Sequence, residues 1–139
     1  MAKFEFMKRS KVPDFWEKDT LLYRFSIINT PWFSIKLHHL EKSDDAMRGL
    51  HDHPWNFISV TLKGGYGEVM PDGLHKPKRI KFRRYSDLHR VVVNHEYKGA
   101  WTLVFTGRKQ QEWGFVRDGE WTAWYETVGP HAIECGRDV

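Results

Sequence analysis

The chain has 139 residues, 40% of them hydrophobic and 29% charged, with a formal net charge of +4, the size and balance of one soluble domain that can bury a core without staples. No apolar run reaches the roughly 18 residues of a membrane span, and the start MAKFEFMKRS lacks the apolar core of a secretion signal. Cys135 is the only cysteine, which excludes an intrachain disulfide and leads us to expect a cytoplasmic protein.

In chain order, a short helix is expected around 13-PDFWEKD-19, where proline suits a first turn. Strand patterns follow at 21-LLYRFSII-28, 32-WFSIKLHHL-40, 55-WNFISVTLK-63 and 66-YGEVM-70. Further patterns lie at 79-RIKFRR-84, 89-HRVVV-93, 101-WTLVFTG-107, 112-EWGFV-116 and 121-WTAWYE-126. These segments are rich in β-branched and aromatic residues and are separated by the turn signals GG, PDG, TG and DG. Without linker, repeat or low-complexity stretch, residues 1–139 read as a single all-β domain, an antiparallel barrel or double-sheet jelly roll spanning about 21–126.

The segment 76-KPKRIKFRR-84 holds six basic residues and no acid. Ile80 and Phe82 alternate with Arg79, Lys81 and Arg83, as in a solvated edge strand guarded by charge, and no nucleic-acid motif accompanies them. Nucleic acid is therefore not expected as a partner.

The chemistry concentrates in 48-RGLHDHPWNFISVTLKGGYGE-68. In a strand, residues i and i+2 share a face, so His51 and His53 can converge on one ion while Asp52 points away. His89, heading its own strand, supplies a third imidazole. Three histidines leave coordination positions open for water, oxygen or substrate. Trp55 and Phe57 continue the same face, and Trp101, Leu103 and His39 are expected to line the interior, giving a pocket for a small, partly apolar molecule. Arg48 is a candidate anchor for a carboxylate or phosphate, Tyr66 a candidate proton donor, and Asp87 a candidate partner orienting an imidazole or, in second place, a ligand in a set of two histidines and one carboxylate. If Gly64-Gly65 makes a two-residue hairpin, Glu68 pairs with Thr61, more than roughly 20 Å along the strand from His53 and away from the ion.

The run 49-GLHDHPWNFISVTLKGG-65 resembles the first metal motif of the cupin superfamily, and 86-SDLHR-90 resembles the second. Together with 29-NTPWFSIKLHH-39 and 101-WTLVFTGRKQQEWGF-115, the wording HDHPW…GGYGE is similar to small bacterial and phage proteins of unassigned function, from about Leu21 to Phe115. Two departures stand out: Phe57 or Ile58 occupies the place of the cupin glutamate, and no P-x-G precedes His89. A site of three histidines and no glutamate is similar to that of thiol dioxygenases, whose cross-linking cysteine is replaced here by Ile58. The resemblance implies a mononuclear metal enzyme of dioxygenase type, with Fe2+ favoured over Zn2+, Ni2+ or Mn2+. A metal-dependent isomerase or lyase and a non-catalytic binding cupin remain the alternatives. Because cupins commonly pair through their sheets, the apolar Ile58, Val60 and Leu62 face suggests a homodimer.

Overall fold

The computed structural model describes residues 5–13, 20–41, 43, 49–93 and 99–127. It is built from β1 (Glu5–Pro13), β2 (Thr20–Asn29), β3 (Ser34–Leu40), β4 (Leu50–His51), β5 (Phe57–Gly64), β6 (Tyr66–Met70), β7 (Gly73–His75), β8 (Ile80–Arg83), β9 (Arg90–Val93), β10 (Ala100–Thr106), β11 (Gly114–Arg117), β12 (Glu120–Ala123) and the one-turn helix α1 (Trp124–Thr127). The helix expected at 13–19 falls outside the described residues apart from Pro13, which ends a strand. Strands β1, β4 and β7 carried too little periodic apolar signal to stand out in the sequence. The segment 121–126 is strand only as far as Ala123 and then turns helical.

Six strands form one antiparallel sheet in the order β1-β2-β3-β10-β5-β8. Two three-stranded sheets, β12-β11-β4 and β7-β6-β9, meet through an antiparallel bridge between His51 and His89. Together they make a second layer opposite the first: Tyr66 of β6 reaches Ser59 of β5 at 3.0 Å, and Glu68 reaches Arg83 of β8 at 2.6 Å. The expected jelly-roll architecture is thus present. Turn chemistry follows its residues: Pro71 and Asp72 join β6 to β7, and Asp118-Gly119, both at positive φ (52° and 79°), joins β11 to β12, as a two-residue hairpin requires.

Gly64 and Gly65 do something different. Gly64, at φ +74°, ends β5 so close to Gly99 that a Cβ would lie 2.3 Å from its carbonyl oxygen. Tyr66 then starts a strand of the opposite layer, pairing with Val93. The expected β5–β6 hairpin does not form, and Glu68 lies opposite Val91 of β9 rather than Thr61.

The two faces of the six-stranded sheet are the reverse of the usual pattern. The row Phe25, Leu37, Leu103, Val60, Ile80 and the row Ile28, Ile35, Phe105, Ile58, Phe82 run across its outer face. The inner face carries Ser26, Lys36, Val104, Ser59 and Lys81 in register. In β8, Ile80 and Phe82 are 66% and 56% exposed while Lys81 is 3% exposed. The edge-strand position of β8 matches expectation, but its orientation is the opposite of the one expected: Lys81 and Arg83 point inward. An apolar cluster of Leu40, Tyr66, Val93 and Ala100, flanked by Leu22 and Val91, closes one end of the interior.

Candidate metal centre

His51 sits in β4, and its pairing with His89 is set by two peptide hydrogen bonds: His51 N–H donates to the His89 carbonyl (2.9 Å) and His89 N–H to the His51 carbonyl (3.0 Å). His53 is fixed two residues on, where its N–H donates to the Tyr85 carbonyl (3.1 Å) and its carbonyl accepts from Gln111 Nε2 (2.9 Å). The ring centroids of the three histidines lie 4.6 to 5.1 Å apart. One nitrogen from each falls within 4.8 Å of the other two, and the Nε2 atoms of His53 and His89 are 3.0 Å apart. Two ligands each about 2.1 Å from one ion and near a right angle would be separated by about that distance. Burial, followed by the charges of its neighbours, holds His53 well below the usual histidine range. Burial and His89 do the same to His51, against the pull of Glu68. Neutral imidazoles are the ligating form, so the donor set fits a divalent transition metal.

Asp52, between the two ligand candidates, faces away from them as expected and is buried. Its carboxylate accepts from the Gly114 N–H (2.7 Å) and from Trp121 Nε1 (3.0 Å). Burial pushes its carboxyl up, and these donors oppose the shift. The residue thereby pins β4 to β11 and β12.

Glu68 is the group that the sequence placed wrongly. It is fully buried, with Oε2 3.5 Å from His89 Nδ1. Arg83 donates to Oε2 from both Nε (2.8 Å) and Nη2 (2.6 Å), and Lys81 Nζ stands 3.3 Å from Oε1. Burial alone would raise its pKa, but His89, Lys81 and Arg83 outweigh it and bring it to about 2.

The other candidates are dispersed. Phe57 packs on His53 (4.7 Å between centroids) and nears His89 (6.3 Å). Trp55 lies under Lys36 Nζ at 4.7 Å. Tyr66 is buried beside Glu68, bonded to Ser59, and burial raises its hydroxyl to about 12. Asp87 accepts the Arg84 N–H (2.8 Å) and closes a turn with it, so this carboxylate oxygen caps backbone rather than orienting an imidazole. Arg48 lies outside the described residues.

Trp101, Leu103 and His39 belong to the outer face. His39 stacks on Trp101 (4.3 Å) and pairs with Glu41 (3.0 Å). Its neighbour His38 points inward, accepting from Arg24 Nε at 3.0 Å. Two further aromatic rings wall the cluster beside Phe57: Trp113 and Phe115, 6.0 and 5.9 Å from His51. The 112-EWGFV-116 segment was legible as a strand, but its pairing with β4 was not.

No protein-family model matches the chain, and no curated protein does either. Solved structures do. An RmlC-like cupin from Shewanella frigidimarina aligns over 79% of this chain and 96% of its own at 14% identity, with a TM-score of 0.55. The chain has a cupin fold. An Fe(II) form of HppE aligns over 71% of this chain with a TM-score of 0.56 and 10% identity, and a DMSP lyase over 69% with a TM-score of 0.51 and 12% identity. The chain spans only 56% and 53% of those two proteins.

Proposed function

We propose that this cupin is a mononuclear metal enzyme of oxidoreductase type, acting on a small polar molecule, with His51, His53 and His89 as the ligands. The convergence of three imidazole nitrogens within 4.8 Å carries the reading. The three imidazoles would hold the ion and leave coordination positions open, and a ferrous ion would supply redox chemistry with oxygen there. The chain's own residues set the surroundings. Phe57, Trp113 and Phe115 shield the cluster from water, and Gln111 and Tyr85 fix the backbone of His53. The inner sheet face offers Ser59, Thr102 and Thr106, all buried, so the ligand suited to this interior is more polar than the aromatic composition suggested. Fe(II) bound by a protein of similar fold supports iron. The DMSP lyase of similar fold supports the second reading, a non-oxidative lyase in which the ion polarises a carbonyl.

The test is elemental analysis of untagged protein, wild type beside His51→Ala, His53→Ala and His89→Ala. Near-stoichiometric metal is expected in the wild type and is lost in each variant. Wild type that stays empty after incubation with ferrous iron, zinc and nickel would sink the metalloenzyme. Oxygen uptake by the iron-loaded form then separates oxidoreductase from lyase.

A further inference from the structure

We propose that Glu68 is a positioning residue that holds His89 by the ring edge facing away from the histidine cluster, so that Nε2 keeps its lone pair for the ion. This inference rests on the metal reading above. The two nitrogens of His89 face two different groups: Nε2 is 3.0 Å from His53 Nε2, and Nδ1 is 3.5 Å from Glu68 Oε2. A neutral imidazole carries one N–H, and the hydrogen bond made by one nitrogen decides what the other can do. With the proton on Nδ1, directed at a carboxylate, Nε2 is left as the donor atom. The distance is longer than a hydrogen bond of about 2.7–3.2 Å, and His89 Nδ1 is buried with no other hydrogen-bond partner, so Glu68 is the acceptor it faces.

Glu68 is not one of the groups whose ligand atoms converge; it meets His89 at Nδ1, whereas His53 meets it at Nε2. What keeps it there comes from the opposite layer. Arg83 grips Oε2 with two N–H groups and Lys81 stands by Oε1, both reaching inward from β8. Glu68 and His89 are brought together by the β6–β9 pairing, in which Glu68 faces Val91, two residues along from His89 and on the same side of the strand. A carboxylate placed only to neutralise Lys81 and Arg83 would have no need to meet a ligand candidate.

The experiment compares wild type, Glu68→Gln, and a Glu68→Gln/Arg83→Met double variant that removes one of the two cations left uncompensated. Zinc affinity is measured by competition with a chromophoric chelator, and imidazole tautomers are read by 15N NMR in the metal-free proteins, with His89→Ala giving the assignment. We expect zinc affinity to fall about 10- to 100-fold in both Glu68 variants, and the His89 Nδ1–H form of the wild type to be lost. Unchanged zinc affinity in a folded Glu68 variant overturns the proposal and leaves the metal site standing. Wild type that binds none of zinc, ferrous iron and nickel removes the metal reading, and the tautomer then decides: a His89 without Nδ1–H in the metal-free wild type overturns the positioning role as well.

Discussion

His38 shows how one imidazole can make the fold sensitive to acid. It lies on the inner face, and burial first, then the charges of Arg24 and Lys36, hold its pKa well below the ordinary 6.5. Folding therefore favours the neutral ring. In the unfolded chain the ring takes a proton once the pH drops below about 6.5, so stability is complete above that value and declines as pH falls toward the depressed folded pKa. The slope for one such group is at most about 1.4 kcal/mol per pH unit. Urea midpoints of metal-free protein should fall between pH 8 and pH 5.5, and His38→Gln should flatten the fall. Equal slopes in the two proteins would show that His38 is not responsible. The sequence pointed to His39 instead, because Phe33, Ile35, Leu37 and His39 form the apolar side of β3. Alternation reports which side of a strand is apolar; it does not report which side is interior, and in this sheet the interior is the polar side. The same inversion misplaced Trp101 and Leu103. His51, His53 and His89 were legible because their spacing alone puts two rings on one face, with a third at the head of another strand.

At the scale of elements, the short strand β4 holds its histidine by close approach. Gly49, just before it, has φ +80°, and a Cβ there would sit 2.2 Å from the Val116 carbonyl oxygen. Only glycine accepts both the backbone conformation and the contact. Gly49→Ala should destabilise the protein by more than about 1 kcal/mol and weaken metal retention, because β4 must move away from β11 and carry His51 with it. Chemical denaturation and metal content on the same preparation check this, and an unchanged midpoint would show that β4 tolerates the shift. The glycine was visible in the sequence as part of G-x-H-x-H, but its partner was not, since β4 and β11 pair across more than sixty residues of chain. The same limitation hid Glu68. A double glycine before a strand reads as a hairpin, yet here it carries the chain from one layer to the other, and only the β6–β9 pairing brings Glu68 to His89.

For the whole molecule, the outer face of the six-stranded sheet presents Ile58, Phe82, Phe105 and Trp101, all more than a third exposed. We propose that a second copy covers this face. Light scattering should then give twice the chain mass for the wild type and the chain mass for Ile58→Lys/Phe105→Lys, whose changes lie on the exposed side and leave the interior untouched. A wild type of single chain mass would count against pairing. The apolar stripe of β5 was readable in the sequence, but its continuation through β3, β10 and β8 depends on strand order, which residue patterns alone do not encode.

Among the described residues, half of one layer pairs with the other half through one residue pair, and that pair consists of two candidate ligands, His51 and His89. An ion held between them would be a rivet through a seam, since the strands on either side are otherwise fastened there by two peptide hydrogen bonds. Metal binding and closure of the barrel wall would then be one equilibrium, each drawing on the other's free energy. Metal supply would then register mechanically: the event that equips the pocket for chemistry would also zip the wall that encloses it.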